Sequence, residues 1–170
     1  MCKNHRAFTA IELMAVLALI AVILGIVFFG FSSAREQARD RTRVGDIKSI
    51  ALALEQYFSE CKTYPPDIYD RSRERDCARS NQTFQNIMPN VPRSSSDQQE
   101  YHYVSLRNTP SGLCTQYHLA ADLENTESPF LDEDHDFNSQ PYSKCGGGSK
   151  FNGRDTNGSG KYDLSNKKQR

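Results

Sequence analysis

The sequence predicts an α+β fold in which one long N-terminal helix packs, through its second half, on a small antiparallel sheet. Residues 13–31 form an apolar run without a charged or strongly polar side chain. Apolar residues then recur at steps of three and four through Val44, Ile47, Ile50, Ala51, Leu54, Tyr57, Phe58 and Cys61, the period of a helix with one buried face. Two later stretches, 101–106 and 116–123, alternate apolar and polar side chains about the turn Asn108-Thr109-Pro110-Ser111-Gly112, which is the pattern of a hairpin.

The 170 residues leave room for one modest domain beside the apolar run. Lysine plus arginine number 21 and aspartate plus glutamate also 21, so no net field draws the chain to nucleic acid or to an acidic membrane surface. The apolar run, about 19 residues at about 1.5 Å each, nearly matches the roughly 30 Å hydrocarbon core of a bilayer. Glu12 sits just inside its N-terminal edge. An ionised carboxylate in a lipid-facing helix costs about 3 kcal/mol at mid-membrane and less near the interface. Glu12 therefore needs either a partner or a hydrated position.

Before the run the chain is short, polar and basic, with Lys3, His5 and Arg6 and no acid. A secretory signal peptide also starts basic but places small residues after its apolar segment; here cleavage through Ser32 and Ala34 is the competing reading. The basic leader, Ala7, then Phe8-Thr9-Ala10-Ile11-Glu12-Leu13-Met14 and an unbroken apolar helix resemble the N-terminus of type IV pilins and of the pseudopilins of type II secretion systems. Ala7 stands where that family usually has glycine.

The resemblance implies cleavage between Ala7 and Phe8 by a membrane-embedded prepilin peptidase, and N-methylation of Phe8. It implies a single-pass anchor in the cytoplasmic membrane with the head outside, followed by homopolymerisation into an extracellular helical filament. An assembly ATPase and an inner-membrane platform would drive that step. The filament would be structural rather than enzymatic, serving adhesion, motility or DNA uptake, or secretion in the pseudopilin branch. A membrane-anchored surface-binding protein that does not polymerise is the alternative from another class. In the family's filaments the glutamate meets the N-terminal amine of a neighbouring subunit, which assigns Glu12 and Phe8 to subunit assembly. Opposite charge at low dielectric offsets the desolvation of both groups and sets axial register; an interfacial, hydrated Glu12 is the alternative.

On this reading residues 1–7 are the leader, 8–31 the membrane-spanning and filament-core helix, 32–62 its amphipathic continuation, 63–100 a variable loop region, and 101–170 the sheet head with its C-terminal loop. Gly25 and Gly30 each cost the helix about 1 kcal/mol relative to alanine. By resemblance Gly25 is where helical structure would begin to loosen in a filament, and close helix packing is the competing explanation. Glu36 and Asp40 precede Arg39 and Arg43 by three residues, as on a solvated, salt-bridged helix face. Arg35, Arg39, Arg41 and Arg43 after the span, against Lys3 and Arg6 before it, run counter to the positive-inside rule; the family motif decides the orientation instead. Pro65 and Pro66 stop the helix near Lys62. Residues 67–82 read as a loop, Phe84, Ile87 and Met88 as one helical turn, 94–96 as a linker, and 161–164 as a third strand.

Five cysteines include no CxxC pair. With Cys2 lost in a leader, Cys61, Cys77, Cys114 and Cys145 form an even set outside the cytoplasm, which favours two disulfides with three connectivities open. Pairing Cys61 with Cys77 and Cys114 with Cys145 closes two local excursions; four reduced thiols are the alternative. His102 and His118 fall on the strands as structural residues, and no hydrolase motif or phosphate-binding loop occurs. Asp155, Asn157, Ser159 and Gly160 follow the first half of a calcium loop, and Asp163 stands where it could complete the cage. The acidic run 132–136 offers further ligands. Asn166 occupies the place of the usual closing glutamate, and a polar turn leading into the last strand is the competing reading. Major pseudopilins have a calcium site in their C-terminal loops, so the resemblance also points to calcium.

Overall fold

The computed structural model describes residues 9–70, 77, 83–94, 97–107, 109, 112–154 and 159–167, with the backbone alone at 28–30. The chain divides into two compact units, Met1–Gln37 and Ala38–Arg170. The first unit contains the beginning of α1, a helix that runs Ala10–Cys61. Within it an apolar window is long enough to cross a membrane, and none of that window is buried. Ile11, Met14 and Ile26 are each more than 70% exposed.

The second unit contains the rest of α1, the short helix α2 (Phe84–Ile87) and four strands: β1 (His102–Arg107), β2 (Gln116–Asp122), β3 (Ser143–Lys144) and β4 (Lys161–Ser165). The strands form one antiparallel sheet in the order β3-β1-β2-β4. The hairpin pairs Tyr103 with Leu119 and Ser105 with Tyr117, and β4 adds to β2 through Leu119–Leu164 and Ala121–Tyr162. Side chains alternate across these strands. Tyr103, Tyr117, Leu119, Ala121 and Tyr162 therefore share a core with Val44, Ile47, Ile50, Leu54 and Tyr57 of α1. The stripe read from the sequence is this buried helix face, and Tyr101 and Tyr103 belong to the core.

The opposite sheet face is covered as well. Val104 and Leu106 pack with Phe137, and Tyr142 and Phe151 close over them. That second cover has little regular structure. It is held by an isolated bridge, Asn138–Asn152, and by the Gly153 N–H donating to the Phe137 carbonyl at 2.8 Å. The glycine run after Cys145 lies close against the head. A Cβ on Gly146 would strike Pro66, and Gly148, at φ 76°, faces the Tyr103 carbonyl where no side chain fits.

Three expectations are adjusted. A fourth strand exists, and the two residues of β3 are too few to show a period. Ser94 is no linker residue: it is buried, its N–H donates to the Gln99 carbonyl and its carbonyl accepts from Gln98, both at 2.9 Å. The helix ends before the prolines: Lys62 takes φ 57° and donates its N–H to the Phe58 carbonyl at 2.9 Å, a left-handed stop to the helix. Disulfides join Cys61 to Cys77 and Cys114 to Cys145, with Cα separations of 5.1 and 6.0 Å. The first ties the end of α1 to the loop that follows; the second ties the hairpin to the residue after β3.

Leu54 is completely buried at the centre of the helix–sheet core. Leu54→Ala is expected to destabilise the protein by about 3 kcal/mol, read as a shift in the denaturant midpoint at unchanged slope.

Candidate assembly interface

The first unit shows how the helix begins. Thr9 precedes α1 and Glu12 is its third residue, and the two cap each other. The Thr9 N–H and Oγ1 donate to Glu12 Oε2 at 2.9 and 2.8 Å, while the Glu12 N–H points back to Thr9 Oγ1 at 3.4 Å. This is a capping box, in which each member satisfies a backbone donor that the helix terminus leaves open. The spacing Thr-x-x-Glu at residues 9–12 is the sequence signal of this box. Ala7 and Phe8 lie outside the described residues. What the geometry provides is an exposed carboxylate at the start of an apolar helix, held in one orientation by its own turn.

In the second unit the expected solvated face of α1 is a buried ionic node instead. Asp40 and Arg43 are almost fully buried. Arg43 pairs with Asp40 at 3.1 Å and with Glu124 at 2.8 Å. Asp40 also accepts the backbone N–H groups of Glu124 and Asn125 at 2.9 and 3.0 Å, so one carboxylate anchors the turn after β2 to the helix. Arg39 grips Glu124 through Nε and Nη2 rather than pairing with Glu36. Arg39, with Arg43 behind it, holds the Glu124 carboxyl below its usual range. The local spacing foretold Asp40–Arg43, but Glu124 lies 85 residues from Arg39, beyond any local pattern.

A second polar centre lies within the sheet. His118 on β2 and Asp163 on β4 are both wholly buried, with Nε2 and Oδ2 2.9 Å apart. Burial is the main cause that pushes the His118 pKa down, against the pull of Asp163. Desolvation therefore disfavours the charged form of the imidazole beside Asp163. The same Oδ2 accepts the Phe137 N–H at 3.0 Å, and the Asp163 N–H donates to Asp134 at 3.2 Å. Ser165 N–H donates to His135 Nδ1 and the His135 N–H to the Asp163 carbonyl, both at 3.1 Å, so residues 134 and 135 close the outer edge of β4. Phe151 stacks on His118 with centroids 3.7 Å apart. At the exposed end of the hairpin, His102 and Lys161 both bind Asp122 and hold its carboxyl well below the usual range, His102 foremost.

These contacts bear on the candidate cation loop. Asp155 and Asn157 lie outside the described residues. Ser159 donates its hydroxyl to the Arg154 carbonyl at 3.3 Å, and Asp163 is committed to His118 and Phe137. Among the described residues no group of three His, Cys, Asp or Glu side chains is placed to hold a metal. Asp163 thus serves the sheet through its Oδ2.

Two outcomes test these centres. Asp40→Asn weakens the acceptor for two amides and for Arg43, and is expected to cost about 2 kcal/mol of unfolding free energy. For His118 the sign is set by a folded-state pKa below the ordinary 6.5. The unfolded chain then binds the proton more tightly, so stability present above about pH 6.5 is lost as the pH falls toward the folded value. Melting temperature should drop across that window, and His118→Gln should flatten the drop; an unchanged pH slope in the variant would exclude His118 as its source.

Comparison with known proteins adds one relation. The chain is 33% identical over 63 residues to the type II secretion system core protein G of Pseudomonas aeruginosa. That stretch is 37% of this chain and 44% of the relative, so the similarity spans less than half of either. No protein-family model matches the chain. No solved structure matches it. The relation agrees with a long apolar helix and a small antiparallel sheet in supporting, loosely, a pilin-like subunit with a helix suited to anchor it in a membrane.

Proposed function

We propose that the chain is a pilin-like structural subunit, cut between Ala7 and Phe8, methylated at Phe8 and polymerised through α1 into a filament. One observation carries the reading. The same helix lines a complete core over residues 44–57 and buries nothing in its apolar window upstream. An apolar face of that size is stable in a bilayer or against other apolar helices, not in water. Anchor before assembly and filament core afterwards are the two environments that meet this need in turn. Prepilin peptidase, an assembly ATPase, an inner-membrane platform and further copies of the chain are the partners.

The capping box refines the role of Glu12. In the single chain its carboxylate is occupied by Thr9. The amine created at Phe8 of a neighbouring copy is a stronger partner, because a charged donor outweighs a hydroxyl at low dielectric. Assembly then exchanges one set of hydrogen bonds for an ion pair between copies, leaving no step in which the carboxylate is bare.

A second reading, a pseudopilin that serves secretion rather than adhesion, motility or DNA uptake, is favoured by the named relative, a core protein of a type II secretion system. Both readings share the helix, the processing and the polymer.

Mass spectrometry of the mature chain tests the shared part. An N-terminal methyl-phenylalanine at position 8 is expected; retention of Met1, or a cut beyond Phe31, would overturn it. Glu12→Ala is expected to leave processing intact and abolish filaments, whereas Thr9→Val should leave filaments but lower helix content at the N-terminus. Normal assembly by Glu12→Ala would remove Glu12 from the mechanism.

A further inference from the structure

Two separate surfaces of the second unit carry exposed charged side chains that make no pair among the described residues. On α1, Arg41 and Lys48 stand two turns apart on one face, about 10 Å along the axis. Both are exposed, and neither makes a hydrogen bond or ion pair among the described residues. The face between them is low and has no groups of its own to satisfy. Thr42 and Ser49 turn their hydroxyls back onto the Ala38 and Gly45 carbonyls at 3.1 and 2.9 Å, and a Cβ on Gly45 would meet nothing within 4 Å. Leu52, 74% exposed, continues the same face. The second surface follows β2. Glu127 and Asp132 are exposed and likewise make no side-chain pair among the described residues. They line an open depression of about 460 Å³ in which every charged lining residue is acidic, Asp134 and Asp136 being the others. Of the lining acids, Asp134 accepts the Asp163 N–H at 3.2 Å; the neighbouring Asp122 and Glu124 are held by Lys161 and by Arg39 and Arg43.

We infer that these two surfaces meet between copies of the chain, with Arg41 and Lys48 of one copy on the acidic depression of the next. A second copy is the occupant because the two patches are opposite in sign and sit on the same polypeptide. The small residues of the helix face let a loop approach its backbone, and long cationic side chains reach into a wet acidic hollow without being desolvated. The patches are different parts of the chain, so the contact is heterologous: each copy keeps one helix face and one depression open after pairing, and association propagates instead of closing as a two-fold dimer. Exposed charge pairs contribute little affinity each. Their part is to steer encounter and fix which face meets which, while the apolar helix supplies the cohesion. The inference rests on the filament reading above and adds the head surfaces that set its register.

The test uses the full-length chain with Cys2→Ser, co-expressed as two differently tagged copies in membranes, one carrying Lys48→Cys and the other Asp132→Cys. On mild oxidation the mixed dimer is expected to form about tenfold faster than in a control pairing Lys48→Cys with Lys144→Cys. It should fade in 1 M salt, where the screening length falls to about 3 Å. Adding Arg41→Glu to the first copy should slow the reaction, and Glu127→Arg in the second should restore it. Equal rates in the control, or Lys48→Cys copies joining each other as readily as the mixed pair, would overturn the contact. A parallel pair carrying Leu17→Cys in both copies reports the apolar helices. If Leu17 cross-links form and the Lys48–Asp132 link does not, the polymer stands and this contact falls; if neither forms, both fall.

Discussion

Everything in this chain follows from asking one helix to satisfy two surroundings. Over residues 44–57, α1 presents an apolar stripe to a sheet and is buried there. Upstream, the same helix is apolar on all sides and buried on none. Side chains repeat every 3.6 residues in both parts, so the difference lies wholly in what surrounds the stripe. In the second unit the other faces of α1 are polar, and a single stripe suffices to seat the sheet. In the first there is no polar face, so the partner has to surround the helix, as lipid or other helices do.

The head is small, and much of it lies in irregular segments that bury little apolar area. Such loops need point attachments. Asp40 provides one, taking two amides and an arginine into a buried node. Asp163 provides another, joining β2, β4 and the segment at Phe137 through one carboxylate. The disulfides Cys61–Cys77 and Cys114–Cys145 provide two more, each at the end of a regular element. Buried charge is tolerated at Asp40 because both carboxylate oxygens accept hydrogen bonds, while at His118 burial pushes the ring's pKa down and disfavours its charged form. The sheet is covered on both faces because these attachments hold the irregular cover in place.

At the opposite end of the chain the same economy of polar groups governs Thr9 and Glu12. Their mutual capping gives the helix a defined start and keeps the carboxylate aimed. In the filament proposed above, that carboxylate would exchange Thr9 for the amine of another copy.

The sequence by itself determined the long helix, its buried stripe, the hairpin and the strand at 161–164, because each depends on a period of side chains along a single stretch. The helix is realised as Ala10–Cys61 and the hairpin as His102–Arg107 with Gln116–Asp122, within a few residues of what the periods foretell. The apolar run and the placement of Glu12 are equally local. Tertiary structure alone decided that Arg39 and Arg43 turn to Glu124, that Asp163 meets His118, and that a two-residue strand flanks β1. Those outcomes depend on groups brought together across 36 to 85 residues, from Arg107–Ser143 to Arg39–Glu124. A charged or polar side chain carries no period that names its partner, and only the packed chain chooses it.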